Sequence, residues 1–329
     1  MPLTVELGVS ELAATRFAIS PLSETVAGLQ QLAGRVRRAV NLRWVRWAED
    51  ELARAPLDLP GVWPLIAGDR TSWPSFLIPA PRRAEPSLED DLAAVRRTTA
   101  AQVRASLSRV FGADLPDGVI ALAARPRVGL GAITAELRTA YERLIAPHWP
   151  RIRAVLEADI AYRARQLATG GAAALFSGLH PDLHWRDGRL VLQGADRVVE
   201  LGPGGLVLMP VALGPAHVMI KGHTTTQTTV RYPARGVGTL WAPRAPSAGA
   251  VRLLGRARAE LLEALRSPAT TTDLARTLAV TPSAVSQHLR ILRENGLVTR
   301  ERSGRSVLYG ITPLGEALIP VAGGRKGQS

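Results

Sequence analysis

"TPSAVSQHLRILRENGLVTRERSGRSVLYGITPLGEAL", Thr281 to Leu318, is the most patterned stretch of the chain. Thr281 followed by Pro282 has the cap and first-turn chemistry of a helix start, and Asn295-Gly296 supplies left-handed stop chemistry. A helix is therefore expected from Pro282 to about Asn295. Placing its residues about 100° apart separates two faces. Val285, Leu289 and Leu292 cluster on one side with His288 at its edge, while Ser283, Ser286, Gln287 and Arg290 cluster on the other. The second face offers donors and acceptors with little apolar bulk. It suits a major groove, where Gln matches an adenine edge, Arg a guanine edge, and Ser either bases or phosphates. An ordinary solvated face has the same composition, so this helix alone leaves both readings open.

The flanking sequence narrows the choice. "LVTRERSGRSVLYGI" gives two alternating strands around Ser303-Gly304, a hairpin whose tip carries Arg300, Arg302 and Arg305. Upstream, "TTTDLARTLA" forms a helix with a Thr before its first turn, Asp273 near the positive end, and Leu274 and Leu278 on one face; Val280 and Thr281 make a tight turn. Before it, a helix over about 251–267 turns Leu254, Ala257, Leu261, Leu262 and Leu265 inward and stops at Ser267-Pro268. Thr312-Pro313 opens a last short helix. A helix pair joined by a tight turn, then a hairpin with a basic tip, is a winged helix-turn-helix. The tip can set arginines against phosphates or in an adjacent minor groove.

"TTTDLARTLAVTPSAVSQHLRILRENGLVTRERSGRSVLYGITPLGEAL" resembles the winged-helix domain of the ArsR/SmtB-type bacterial transcriptional regulators, above all in "SAVSQHLRILRENGLV" and the wing "GRSVLYGIT". The resemblance implies a homodimer on double-stranded DNA, with two recognition helices in adjacent major grooves of a partly palindromic operator, about 34–36 Å apart. On the matching positions it assigns DNA contact to Ser283, Ser286, Gln287 and Arg290 and the wing to Arg302 and Arg305; Thr281 at the helix cap and Arg300 on the hairpin complete the expected DNA-binding set. Metal sensors of that family use cysteines in the helix before the recognition helix, or Asp and His in the terminal helix. This chain has no Cys and its "PLGEALI" no His, so metal sensing at those sites is excluded. "ATRFAISPLSETVAGL" (14–29) and "RYPARGVGTLW" (231–241) resemble an N-terminal domain of long ArsR-like regulators, which implies a sensor or dimerisation domain.

Composition agrees with this outline. The 329 residues suit two or three domains, and 46% hydrophobic with 21% charged residues is enough apolar mass for real cores. The formal net charge of +13 favours an anionic partner. It is spread along the chain: +7 over 1–250, +4 over 251–319 and +2 in the tail. Only Lys221 and Lys326 are lysines, so part of the basicity looks like a GC-rich coding habit. The absence of cysteine removes disulfides, thiolate metal sites and Cys nucleophiles. "MPLTVELGVSELAATRF" has no basic region leading into an apolar run, and no segment reaches 18 uninterrupted apolar residues. A cytoplasmic, soluble protein without membrane partners is expected.

Upstream of the linker candidate "APRAPSAGA" (242–250), Ser20-Pro21 starts one helix and "RVRRAVNLRWVRWAEDELARA" (35–55) forms another. Between Pro56 and Pro86 prolines and tryptophans crowd into an irregular stretch. Ser87 with Asp90 forms a capping box, ahead of a face of Leu88, Leu92, Val95, Val103, Leu107 and Val110. Helices follow at about 131–146 and 150–178. After "SGLHPDLHW", β-rich runs broken by Gly and Pro suggest a small antiparallel sheet.

Other motifs have plainer explanations. His180 and His184 have a metal-ligand interval, but Pro181 opposes a helix there and no third ligand is near. His217 and His223 suit strand ends or loops, and His288 a structural role. In 35–47 the face Val36, Ala39, Val40, Trp44 and Trp47 reads as core, its arginines facing water. "GPGG" (202–205) and "GLG" (129–131) lack the rest of a dinucleotide fingerprint and are read as turns. No catalytic constellation emerges, and no cofactor is expected.

The expected fold is mainly α with a small antiparallel β module, ending in a winged helix-turn-helix. Its divisions are a helical sensor or dimerisation domain (1–180), a β-rich module packed on it (181–241), a linker (242–250), the DNA-binding domain (251–320) and a flexible tail (321–329). The expected function is a one-component transcriptional regulator, not an enzyme, modulated by a small-molecule or peptide effector. Trp44, Trp47, Trp63 and Trp73 mark a candidate apolar effector pocket, though the same rings serve packing equally well. Two alternatives stand beside it: an enzyme or metabolite-binding domain with an autoregulatory winged helix, and a protein-interaction module.

Overall fold

The computed structural model describes residues 3–34, 41–67, 73–186, 188–192, 204–222, 227–241, 246–265, 269–278, 280–303 and 306–319. Contacts divide the chain into two units, Met1–Trp241 and Ala242–Ser329. The architecture is mainly helical with small sheets. Among the described residues no helix is long and apolar enough to cross a membrane.

Helices α1 (Val9–Ala13), α2 (Pro21–Leu32), α3 (Leu42–Arg54), α4 (Trp63–Ile66), α5 (Leu88–Arg96), α6 (Ala100–Phe111), α7 (Asp117–Ala124), α8 (Pro126–Ala140), α9 (Trp149–Ser177) and α10 (Val237–Leu240) build the first unit. Ser20 caps α2, its Oγ accepting from Ser23 N at 2.9 Å, with Pro21 at the first position. Every residue from Pro21 to Gln31 is buried, so α2 is a central helix surrounded on all sides. It touches α3, α4, α5 and α8. Gly28 permits the closest approach: a Cβ there would lie 2.7 Å from Cη2 of Trp44. The Ser87–Asp90 capping box forms as expected, and Thr99 with Gln102 makes a second, splitting the anticipated apolar face between α5 and α6.

Several helix boundaries differ from expectation. α3 begins only at Leu42, capped without a side-chain bond, and 35–40 lie outside the described residues. α7 is a helix the sequence pattern missed. The "GLG" of 129–131 lies inside α8, not in a turn, because Pro126 starts that helix upstream of it. α8 runs on through a π turn at Tyr141–Ile145 and a 3-10 turn at Ala146–His148. α9 is broken at Gly171, whose φ of 65° is a left-handed conformation that only glycine adopts freely.

Strands β1 (Leu3–Glu6), β3 (Leu183–Arg186) and β4 (Arg189–Leu192) form an antiparallel sheet in the order β1-β4-β3. β2 (Arg16–Phe17), β5 (Leu206–Val211), β6 (Met219–Lys221) and β7 (Thr228–Pro233) form a second sheet, ordered β2-β5-β7-β6. That sheet is mixed. β6 and β7 are antiparallel, whereas β2–β5 and β5–β7 are parallel. The β6–β7 return lays β7 back between β5 and β6, which aligns it with β5. Residues 181–241 thus do not stand as a separate module, since both sheets recruit strands from residues 3–17.

β5 is buried on both faces. Val207, Met209 and Val211 join the helical core of Leu22, Trp44, Phe76 and Leu107. Leu206 and Leu208 join a second core with Phe176, Leu190, Val230 and Tyr232. Each fully buried Leu or Val contributes about 1.5–3 kcal/mol, so the sheet ties two cores together through one strand.

The second unit has its own core. α11 (Ala248–Leu254) and α12 (Arg256–Ala264) are separated at Gly255, with φ 78°. The expected single helix is therefore two, and Ala248–Ala250, expected in the linker, form the first turn of α11 under a Ser247 cap. Residues 242–245 and the tail 321–329 lie outside the described residues. The break resets the helical phase, so Ala259 is buried and Ala257 exposed, the reverse of expectation for Ala257. α13 (Thr271–Leu278), α14 (Pro282–Glu294), β8 (Val298–Ser303), β9 (Ser306–Ile311) and α15 (Pro313–Leu318) complete the unit. Leu261, Leu262, Leu274, Val285, Leu289 and Leu292 pack at its centre.

Candidate nucleic-acid interface

α14 begins where Thr281 Oγ1 accepts from Ala284 N at 3.3 Å and contacts Ser283 Oγ at 3.1 Å. It ends in a Schellman-type stop: Leu297 N donates to Leu292 O and Gly296 N to Arg293 O, each at 2.9 Å, with Gly296 at φ 69°. Between these ends Val285, Leu289 and Leu292 are sealed in the core. Thr281, Ser283, Ser286, Gln287 and Arg290 are all exposed. The hydrophobic effect fixes the rotation of the helix, and that rotation turns the polar residues outward as one surface.

Arg290 is tied loosely. Its Nε lies 4.0 Å from Glu294 Oε1, with the side chains 64% and 59% exposed. An exposed pair of this kind contributes about 0–1 kcal/mol, so the guanidinium can leave it for a nucleobase or phosphate. Sequence reasoning passed over Arg293. It is exposed and stands seven residues beyond Ser286, two helical turns along the same face. That i+7 interval was the signal available. His288 is half-buried, with its Nδ1 sealed away and unpartnered.

α13 is oriented by a capping pair: Thr270 Oγ1 donates to Asp273 Oδ2 at 2.7 Å and accepts from Asp273 N at 3.2 Å. β8 and β9 pair antiparallel from Val298↔Ile311 to Ser303↔Ser306, and residues 304 and 305 lie outside the described residues. Arg300 is exposed opposite Tyr309. Arg302 sits in β8 opposite Val307, and Arg305 lies outside the described residues. A bridge between Ala269 and Tyr309 adds an edge to the hairpin, anchoring it beside α13; nothing in the local pattern announced it. At the far end Gly315 is indispensable, because a Cβ there would fall 2.4 Å from Leu297 O.

The tryptophans of the first unit separate into different settings. Trp44 is buried and donates from Nε1 to Leu144 O at 3.2 Å, a packing role. Trp47 meets His148 edge-on at 4.2 Å between centroids. Trp63 is half-buried on α4. Trp73 belongs to the same core as Trp44 and stands beside Lys221 and Arg231. His180 bonds the Ala216 carbonyl at 2.8 Å, and its Nδ1 accepts from Asp182 N at 3.1 Å. Among the described residues no cluster of three or more His, Asp or Glu could hold a metal. His223 and residues 201–203 lie outside the described residues, while Gly204 and Gly205 form a left-handed turn into β5.

A helix pair with a tight turn, an outward polar face and a following hairpin define a helix-turn-helix domain of the winged kind. Residues 256–300 match the bacterial regulatory protein, arsR family. The chain is 46% identical over 55 residues to the HTH-type transcriptional regulator NmtR of Mycobacterium tuberculosis, a match covering 16% of this chain and 46% of that protein. The chain thus spans about half the length of the curated relative it matches. No solved structure matches it. An ArsR-type helix-turn-helix is carried here behind a long N-terminal region.

Proposed function

We propose that the protein is a one-component transcriptional regulator that binds a partly palindromic operator as a homodimer. The observation that carries this reading is the exposed face of Ser283, Ser286, Gln287 and Arg290 on a helix whose opposite face is core. α14 enters the major groove, where Arg290 and Gln287 read base edges and Thr281, Ser283 and Ser286 reach bases or phosphates. The wing residues Arg300, Arg302 and Arg305 meet the backbone or minor groove. The N-terminal unit binds an effector or partner and has no catalytic role, and the protein works in the cytoplasm. Metal at the family's usual Cys and His positions plays no part, for the chain lacks those residues.

Selection from random duplexes with purified full-length protein tests the proposal. Enrichment of a two-fold related sequence, with half-sites about 10–10.5 base pairs or a multiple apart, is expected. Failure to enrich any sequence at moderate salt would overturn it.

A further inference from the structure

The mixed sheet carries positive charge into the interior of the N-terminal unit. Arg231 on β7 is 3% exposed, and Ser23 holds one side of its guanidinium: Nε donates to Ser23 Oγ at 3.1 Å and Nη2 to Ser23 O at 3.2 Å. Its Nη1 is buried with no hydrogen-bond partner. Burial lowers its pKa to about 10, against the opposing pull of Glu24, so it stays charged at neutral pH. Glu24 itself accepts from Ala212 N at 2.8 Å and Leu213 N at 2.9 Å.

Trp73, 8% exposed, also has a buried, unpartnered donor in its Nε1. Its ring centroid lies 3.9 Å from Lys221 Nζ and 5.5 Å from Arg231 Cζ, so two cations flank one indole. The register explains the gathering. Met219 pairs with Arg231 and Lys221 with Thr229, so these side chains share one sheet face with Met209. Arg16 on β2 occupies the same face, and its Nη1 is buried without a partner too.

A buried guanidinium with an unfilled donor costs free energy that an apolar residue at the same place would avoid. Two such unfilled donors, Arg231 Nη1 and Trp73 Nε1, await an acceptor here, next to the Lys221 ammonium, which itself donates to Trp73 O at 2.8 Å. We propose that Arg231, Trp73 and Lys221 form the binding site for a small monocarboxylate with an apolar body. The carboxylate oxygens accept from Arg231 Nη1 and Trp73 Nε1 beside the Lys221 charge, and the apolar part lies against Met209 and Met219. A phosphate fits less well. Ser23 already occupies the Arg231 fork, and a second negative charge would be desolvated among methionines. Use of this site to control DNA binding rests on the regulator reading above; occupancy of the site does not.

The test is thermal unfolding of the full-length protein with benzoate and octanoate, their neutral amides, and inorganic phosphate at matched ionic strength. The carboxylates should raise the midpoint and the amides should not. Trp73→Phe and Lys221→Met keep apolar bulk and spare Arg231; the first should weaken the apparent affinity about tenfold, as expected for one lost hydrogen bond to a carboxylate, and the second should weaken it through the loss of the neighbouring positive charge. The site is overturned if neither carboxylate shifts the midpoint, if phosphate shifts it equally, or if both variants respond as the parent does. Duplex-DNA affinity measured with and without benzoate separates the two claims: a stabilised protein with unchanged DNA affinity overturns the regulatory use alone.

Discussion

Single residues in this chain hold opposing protonation preferences inside one core. His148 is wedged between Trp47 and Trp241, with ring centroids 4.2 and 5.4 Å away and neither ring nitrogen partnered. Burial, helped by Arg151, lowers its pKa to about 4, so folding favours the neutral ring. Its contribution is full above the ordinary histidine value and is lost as pH falls from about 6.5 towards about 4. In His148→Phe, urea unfolding should show a smaller loss of stability between about pH 7 and about pH 5 than in the parent. Asp91 behaves oppositely. Burial raises its pKa from 3.8 to about 7, opposed by Ser20 Oγ at 2.7 Å, so its contribution is full below the ordinary carboxyl value and is lost as pH rises from there towards about 7. Asp91→Asn should flatten that decline between about pH 4 and about pH 7 in the same assay. On α14, Arg290→Ala should cost about 1–3 kcal/mol of operator affinity and relax base preference, measured by titration against matched and mismatched duplexes. Unchanged affinity and preference would remove Arg290 from the reading surface.

Several element ends were legible from local signals. Ser20-Pro21, Ser87 with Asp90, Thr281-Pro282 and Asn295-Gly296 each act through hydrogen bonds spanning a few residues, so sequence located those ends. Gly255 and Gly171 were not read as breaks, because a glycine inside a helical pattern does not declare its φ. The wing depends on a junction as much as on its strands. Thr312 Oγ1 donates to Gly296 O at 2.7 Å and accepts from Gly315 N at 3.1 Å, while Gly315 leaves no room for a side chain against Leu297 O. Gly315→Ala should lower the thermal midpoint of the C-terminal unit by the equivalent of about 1–3 kcal/mol, an overpacking cost. Arg302→Ala should weaken binding to many duplexes alike; a loss confined to one operator would refute its backbone role.

At the scale of the whole molecule, the net charge of +13 and the proposed phosphate contacts predict that log affinity for DNA falls linearly with log salt, with a slope near −0.9 per phosphate neutralised. A flat salt response would contradict groove binding by a basic surface. The sequence by itself determined the helix-turn-helix, its polar face and the hairpin, because helical period, capping and strand alternation act over a few residues. It did not reveal the parallel β5–β7 pairing or the recruitment of β1 and β2. Nor did it show that Ser23 meets Arg231 across 208 positions, or that Trp73 stands between two cations while Trp44 merely packs. Those outcomes depend on the path the chain takes between distant segments, and only the tertiary structure sets which charges share a buried face.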